Sequence, residues 1–352
     1  MSDMIIRSSM KDYGVKFIDD FTVPLKQATD EGAFVICDSS IYELYREHFL
    51  SSVDIEHFII INAVEKTKNL ENCKDIIEIL VERKIRRNQK LIALGGGITQ
   101  DVTAFIASIL YRGVGWLFFP TTLLAQADSC IGSKTSINLG DKKNLIGNFY
   151  PPDNIYINTG FLQSLEKQDV QSGIGEMLHF FYYSNSPLID KLINNYQEII
   201  EQRGLLEEYI IESLSIKKSV IEIDEFDKGV RNKFNYGHTF GHALETITNY
   251  GIRHGQAVTI GMDLANYLSW KLGLLTQDQF DAMHGQLSIN FPDYDFRSCG
   301  IDAYVAALSN DKKNIGDNLG CILSEGAGKL VMKQIPLDNN FKSMINDFLG
   351  GL

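Results

Sequence analysis

The chain has no apolar run long enough to span a bilayer, so a membrane-spanning helix is not expected. It has no CxxC pair either. Its five cysteines, Cys37, Cys73, Cys130, Cys299 and Cys321, are odd in number and widely scattered. Neither a disulfide framework nor a cysteine metal site is therefore expected. Positive charge is in deficit, 33 Lys and Arg against 45 Asp and Glu, and the formal net charge of -12 argues against a general nucleic-acid binder. That balance still permits a phosphorylated small molecule, because a few clustered cations can form an anion site inside an acidic protein. The opening residues MSDMIIRSSMKDYG lack a signal-peptide pattern, and neither a tandem repeat nor a flexible linker is visible. A cytoplasmic protein is expected.

What is present is a globular composition, 44% hydrophobic and 22% charged over 352 residues, enough for two ordinary domains or one large one. In the first half, AFVICD, FIIIN, KLIALGGG, GWLFFP and NIYIN read as buried strands. SIYELYREHF and ENCKDIIEILVERKIR lie between them with helical patterning. This alternation predicts an open, mostly parallel sheet covered by helices. Further on, helical segments dominate: GIGEMLHFFYYS, SPLIDKLINNYQEIIEQ, a run near 205–227, and AVTIGMDLANYLSWKL. GCILSEGAGKLVMKQI reads as a hairpin and NNFKSMINDFLGG as a last helix. The expected division is an α/β domain over residues 1–165 and a mainly α-helical domain over 166–352.

LIALGGGITQD ends a strand in Gly95, Gly96 and Gly97 and then starts a helix. Glycines there let backbone N–H groups approach a pyrophosphate, and the helix N-terminus favours its charge. A tight βα turn without a ligand would read the same way. Asp38 follows the AFVIC strand, where a carboxylate either binds ribose hydroxyls or caps a helix. FFPTTLLAQADS repeats the arrangement, with Thr121 and Thr122 as hydroxyl donors. DSCIGSKTSINLGDKKNLIGNFYPP gathers Asp128, Lys134, Lys142, Lys143 and Asn144 among small and apolar residues, which predicts a partly buried loop. Buried lysines need anionic partners, and a phosphate would be one.

Only seven histidines occur, yet FNYGHTFGHALE and the following RHGQAV place three of them, His238, His242 and His254, close together. On a helix, His238 and His242 share a face about one turn apart, and Glu245 extends that face by another turn. Such a pair can share a metal ion. It can equally be two satisfied histidines on a helix whose Gly237, Gly241 and Ala243 allow close packing. Spacing alone leaves both readings open.

Taken in order, GGGITQDVTAFIASILYRG, PTTLLAQADSCIGSKTSIN, KKNLIGNFYPP, SGIGEMLHFF, GVRNKFNYGHTFGHALE, RHGQAV and DKKN resemble the 3-dehydroquinate synthase family of sugar phosphate cyclases, over roughly residues 33–325. The resemblance implies an N-terminal NAD-binding α/β domain and a helical metal- and substrate-binding domain, with NAD and a divalent metal (zinc or cobalt) in the cleft between them. The implied metal ligands are Glu176, His238 and His254, while His242 becomes a catalytic imidazole. Such a Glu-His-His set leaves coordination positions open for substrate oxygens. For NAD the matching residues are Asp38, Glu65, Lys68, Gly96, Gly97, Asp101, Thr121, Thr122, Lys143, Phe161 and Ser164. Arg112, Lys134, Asn144, Asn235 and Lys313 match positions for the phosphate end or the polyol, and the arginine implies a homodimer because it reaches across one in the family. Lys217 and Arg231 match positions that hold a substrate carboxylate, and Asp128 sits near metal, NAD and hydroxyls.

The implied reaction removes a hydride to NAD, eliminates phosphate, returns the hydride and closes a carbocycle by an intramolecular aldol step. Lys134 and Arg112 would stabilise the departing phosphate. His242, with Asn235, would move protons.

The chain departs from the family pattern at several positions. His179 stands where a lysine usually contacts a substrate hydroxyl, and joins the expected catalytic residues. Gln100, Ala104 and Ser133 replace common glycines, and Gln256 replaces a glutamate. The expected substrate is 3-deoxy-D-arabino-heptulosonate 7-phosphate. Sibling cyclases on sedoheptulose 7-phosphate, glucose 6-phosphate or an amino analogue are the alternatives. A metal- and NAD-dependent polyol dehydrogenase and an inactive binding protein are weaker ones, since the lysines suit phosphate and the metal triad is complete.

Overall fold

The structure, a computed structural model, describes residues 3–47, 50–140, 142–296, 299–309, 314, 316 and 318–352. The chain forms two compact units, one from Met1–Leu165 with Lys218–Phe226 and one from Glu166–Lys217 with Asp227–Leu352. The sequence pattern had left Lys218–Phe226 inside the helical half. Its attachment to the first unit is polar: Glu222 accepts from the Arg7 N–H at 2.9 Å, and Glu225 accepts from the Ser8 and Ser9 hydroxyls.

The strands of the first unit are β1 (Met4–Ile6), β2 (Tyr13–Phe17), β3 (Phe34–Asp38), β4 (Phe58–Ile61), β5 (Leu91–Gly95), β6 (Trp116–Pro120), β7 (Ile137–Leu139), β8 (Lys142–Ile146) and β9 (Asn154–Ile157). Seven of them form one sheet in the order β1-β2-β9-β6-β5-β3-β4. Only β1 and β2 pair antiparallel; the other neighbours are parallel. The residues of β5 and β6 are buried throughout, as expected of strands covered on both faces. The five strands read from the sequence are all present. β1 and β2 escaped notice because three- and five-residue strands carry too little pattern.

The chain moves outward from β3 to β4 on one side, and from β5 to β6 on the other. The sheet therefore reverses direction between β3 and β5. In open α/β sheets the crevice outside the carboxyl ends of such strands receives ligands. Below that edge, one core cluster packs Val35, Cys37, Ile92, Leu94 and Phe119 against Phe21, Leu25 and Phe161.

The second unit is mainly helical, with a β10 (Asn318–Ser324) and β11 (Leu330–Pro336) antiparallel hairpin where one was expected. SPLIDKLINNYQEIIEQ forms two short helices, Leu188–Asn194 and Tyr196–Glu201, divided at Asn195, instead of one. Three helices matter most: Lys167–Ser184, His238–Ile247 and His254–Lys271. The last is buried from Gly255 to Ser269 because the other two, the hairpin and the helix Gln277–Leu287 surround it. Its sequence is correspondingly mostly apolar or small, with Gln256, Asp263 and Asn266 as buried polar exceptions.

Glycines set how near these helices come. A Cβ on Gly175 would lie 2.0 Å from the Gly255 carbonyl oxygen, and one on Gly255 would lie 1.8 Å from that of Ser172. A Cβ on Gly261 would lie 2.0 Å from the Gly237 oxygen. Side chains at these points would force the backbones apart. The small residues read from FNYGHTFGHALE thus do serve close packing, and they do so beside candidate ligands.

Candidate metal and nucleotide sites

Each of three candidate ligands stands next to one of those glycines. Glu176 follows Gly175, His238 follows Gly237 and His254 precedes Gly255. The Glu176 side chain is 3% exposed, and its Oε1 lies 3.1 Å from His254 Nε2 and 3.5 Å from His238 Nε2. That oxygen is buried without a well-directed hydrogen bond. His238 directs its Nδ1 to the Tyr236 carbonyl at 3.3 Å, and His254 directs its Nδ1 to Glu245 Oε2 at 3.0 Å. Both rings therefore turn Nε2 toward the same carboxylate oxygen. A buried carboxylate oxygen on which two imidazole Nε2 atoms converge suits a divalent zinc or cobalt ion, so the residues fit the metal that the motif implies.

Burial opposes ionisation of Glu176, but the neighbouring His238 and His254 hold its carboxyl well below the usual carboxylate range. Burial likewise opposes a charge on His254, yet hydrogen bonds to Glu176 and Glu245 hold its pKa well above the usual imidazole value.

Other candidates gather around this centre. The His242 ring stands 5.5 Å from the rings of both His238 and His254 and is exposed. It also belongs to a second convergent set with Glu245 and His254. His179 is buried at 1% exposure, with its ring 5.0 Å from His238 and 5.8 Å from Phe234. Neither of its ring nitrogens has a hydrogen-bond partner among the described residues. Burial, aided by the neighbouring His238, depresses its pKa to about 3, so the ring is neutral at physiological pH. Lys217 and Arg231 are buried cations at 6% and 4% exposure. Asn235 ends the short turn Val230–Asn235 and donates to the Asn232 carbonyl at 2.9 Å. Lys313 lies outside the described residues.

In the first unit, Asp38 and the Gly95–Gly97 turn border the reversal between β3 and β5. A Cβ on Gly95 would come within 3.2 Å of that of Asp38, and one on Gly96 would come within 3.0 Å of Thr122. This edge has room for backbone donors and little else. Asp38 accepts from the Ser40 N–H at 2.9 Å as the cap of the helix Ser39–Tyr45, so the capping alternative describes its side chain here. Thr121 donates its N–H to the Gly95 carbonyl, and the Thr122 hydroxyl accepts from the Ala125 N–H.

Beside this edge runs a polar network. Lys68, at 5% exposure, pairs with Asp101 at 2.5 Å and donates to Asn144 Oδ1 at 2.7 Å. Ser136 donates its N–H to Asp101 at 3.1 Å and its hydroxyl to Asn144 at 2.9 Å. Burial pushes the Asp101 carboxyl up against the pull of Lys68. Asn138 links Glu65 to the backbone of Asn144, which has φ 53°. Asn144, grouped with the substrate residues by resemblance, thus shares its side chain with the nucleotide residue Lys68 and reaches Asp101 only through Lys68 and Ser136. Phe161 is 1% exposed and packs 4.5 Å from Phe21, so its side chain is committed to the core. Ser164 is exposed and donates to the Phe161 carbonyl.

The segment 128–152 is partly buried, as expected, through Ile131 and Ile137, but its lysines are not among the buried residues. Lys134, Lys142 and Lys143 are all exposed, and so are Leu139 and Leu145, while β7 and β8 pair as a two-stranded hairpin outside the main sheet. The buried lysines are instead Lys68 and Lys217. Arg112 is also exposed. Asp128, half-buried, sits in the single π turn Ala125–Ser129. Gln100 holds that turn from both sides, donating to the Ser129 carbonyl at 2.7 Å and accepting from its hydroxyl at 2.6 Å. Gln256 donates to the Asn290 carbonyl at 3.3 Å and is not in the metal cluster. Glu245, Ser136 and Asn138 were given no role by resemblance. Glu245 had a sequence signal, its place on the histidine face, whereas Ser136 and Asn138 are ordinary loop residues with none.

Both halves of the chain match known protein families. Residues 58–172 match the 3-dehydroquinate synthase N-terminal family and residues 173–314 the C-terminal family. A 3-dehydroquinate synthase of Helicobacter pylori is 34% identical over 346 residues, covering 97% of this chain and 98% of the relative. A crystal structure of 2-deoxy-scyllo-inosose synthase with carbaglucose-6-phosphate, NAD+ and Co2+ superposes with a TM-score of 0.85 at 25% identity, covering 99% of each chain. A 2-epi-5-epi-valiolone synthase of Streptomyces hygroscopicus with NAD+ and Zn2+ bound shares the fold, with a TM-score of 0.85 at 23% identity, covering 98% of this chain and 99% of that one. With both halves matched in order, and a relative of this identity aligned nearly end to end, the chain belongs to the 3-dehydroquinate synthase family.

Proposed function

We propose that the protein is a sugar phosphate cyclase, a carbon–oxygen lyase of the 3-dehydroquinate synthase type acting on 3-deoxy-D-arabino-heptulosonate 7-phosphate. The observation that carries this reading is the convergence of Glu176, His238 and His254, each beside a glycine that lets its helix approach its neighbours. When bound, NAD would supply a reversible hydride acceptor, and zinc or cobalt would supply a Lewis acid for the hydroxyl that is oxidised.

The chain's own residues have separate tasks. Glu176, His238 and His254 hold the metal. Asp38, Glu65, Lys68, the Gly96–Gly97 turn, Asp101, Thr121, Thr122 and Lys143 hold NAD at the carboxyl edge of the sheet, with Phe161 and Ser164 following β9. Lys217 and Arg231 are buried cations and would repay their desolvation by binding a carboxylate, the arginine in bidentate fashion. Exposed Lys134 and Arg112, with Lys313, are assigned to the phosphate, which leaves with the electron pair of the broken C–O bond. His242 and Asn235 are assigned to proton movement, and Asp128 to substrate hydroxyls. The working form is proposed to be a cytoplasmic homodimer; no helix among the described residues is long and apolar enough to cross a membrane.

Incubation of the purified protein with NAD, zinc or cobalt and the heptulosonate phosphate tests this directly. Phosphate release without net NADH is expected. Stoichiometric NADH without phosphate would instead identify a dehydrogenase. One observation favours a second reading: the neutral, buried His179 replaces a lysine, so a sibling substrate with different hydroxyl stereochemistry is the alternative. Turnover of sedoheptulose 7-phosphate or glucose 6-phosphate, with none of the heptulosonate, would select it.

A further inference from the structure

Glu245 was singled out by its place on the face shared with His238 and His242, and the proposed reaction gives it no task. Its side chain is 12% exposed, and its Oε2 lies 3.0 Å from His254 Nδ1. The same ring presents Nε2 to Glu176 at 3.1 Å. His254 thus lies between two carboxylates, one at each ring nitrogen.

Two overlapping ligand sets follow, Glu176 with His238 and His254, and Glu245 with His242 and His254. A neutral imidazole offers only one lone pair, so its Nδ1 and Nε2 cannot serve both sets together. The first set contains the buried Glu176 Oε1, which lacks a well-directed hydrogen bond, and two Nε2 atoms turned toward it. The second set relies on the exposed His242. An ion gains more where the carboxylate is buried and otherwise unsatisfied. The first set is therefore the metal site, and the Nδ1 proton of His254 remains for Glu245.

We propose that Glu245 is a positioning residue: it accepts the Nδ1 proton of His254, holds the ring so that Nε2 faces the metal, and raises the basicity of that nitrogen. The proposal rests on the metal-site reading above. His238 has only a backbone carbonyl at 3.3 Å in the equivalent role, a neutral and longer contact. The carboxylate makes His254 the stronger of the two imidazole donors. With a dication, Glu176 and Glu245 also bring the local charge to zero.

The test measures zinc and cobalt(II) affinity of the full-length, metal-stripped protein by chelator competition, together with the visible absorption of the cobalt form. Glu245→Ala is expected to weaken affinity about 10–100-fold and to shift the cobalt bands. Glu245→Gln keeps an acceptor oxygen without the charge, so its loss should fall between wild type and the alanine variant. NAD affinity should stay unchanged in both, and the melting temperature of metal-free Glu245→Gln should match wild type. His254→Ala is the control for the underlying reading. If it loses metal while both Glu245 variants bind as wild type does, the positioning role is wrong. If His254→Ala itself binds metal normally, the metal-site reading fails and the proposal with it. Uptake of two ions by wild type and one by Glu245→Ala would make Glu245 a ligand of a second ion, which also overturns the positioning role.

Discussion

Gly175→Ala probes the link between helix packing and the metal centre. The added Cβ would lie 2.0 Å from the Gly255 carbonyl oxygen, 2.5 Å from its carbon and 2.8 Å from the Thr259 hydroxyl. Real Cβ atoms do not come closer than 3.0 Å to such neighbours, so the two backbones must part by about 1 Å. The obstacle is main chain, and no rotamer change can relieve it. Glu176 and His254 adjoin the two glycines, and their ligand atoms are 3.1 Å apart. Parting the helices separates the ligands by a comparable amount. Overpacking of this kind costs about 1–3 kcal/mol, and a 1 Å misplacement at a reacting centre can cost about 100-fold in rate. We expect the melting temperature to fall by several degrees and metal affinity by at least tenfold. The matched control is Gly285→Ala in the helix Gln277–Leu287, where an added Cβ meets nothing within 4 Å. That change should stabilise by about 0.5–1 kcal/mol through helix propensity. A Gly175→Ala protein with wild-type melting temperature and zinc affinity would falsify the packing argument.

Other expectations follow from single contacts. Ser133 holds φ 61°, in the left-handed region that favours glycine, so Ser133→Gly should relieve about 1 kcal/mol of strain, partly offset by chain entropy; a drop in melting temperature would contradict this. Asn138→Ala removes the tie between Glu65 and the Asn144 backbone and should weaken NAD binding about tenfold, the equivalent of one or two hydrogen bonds, while leaving metal affinity alone. Calorimetric titration with NAD would show whether it does.

The fully buried Asp263 bonds the half-exposed His284 at 2.7 Å. The bond to Asp263 raises the His284 pKa, and burial raises that of Asp263. Both groups hold protons more tightly when folded, so stability falls as pH rises. The His284 contribution is fully present below its ordinary value of 6.5 and is lost as pH rises through its folded value. Thermal melts at several pH values should show this decline in wild type and a flatter profile in His284→Gln. The variant should also lose about 2 kcal/mol at pH 6, a value discounted for the exposure of the ring. Parallel profiles would count against the coupling.

Much of the first unit could be read from local pattern. Strands buried on both faces must be apolar throughout, and β5 and β6 are; β3, β4 and β9 are apolar except for Asp38 and Asn154 at strand ends. The glycine turn after β5 and the carboxylate after β3 were also legible, because backbone geometry demands those residue types. Strand order was not legible: hydrogen-bond partners lie far apart in sequence, and only pairing put β3 beside β5 and created the crevice. Burial of the lysines was misjudged for a similar reason. Apolar neighbours in sequence suggested a partly buried loop; Ile131 and Ile137 are buried, but Lys134, Lys142 and Lys143 are exposed, while Lys68 is buried by contacts from distant segments.

The second unit divides along the same line. Sequence by itself determined which residues could ligate a metal, since only imidazoles and carboxylates at those positions have the lone pairs. It could not separate His242 from His238, because spacing along one helix says nothing of the helices opposite. The tertiary structure gives the two histidines different surroundings. Three helices meet at glycines, and their approach turns the Nε2 atoms of His238 and His254 toward one buried carboxylate and leaves His242 exposed beside them.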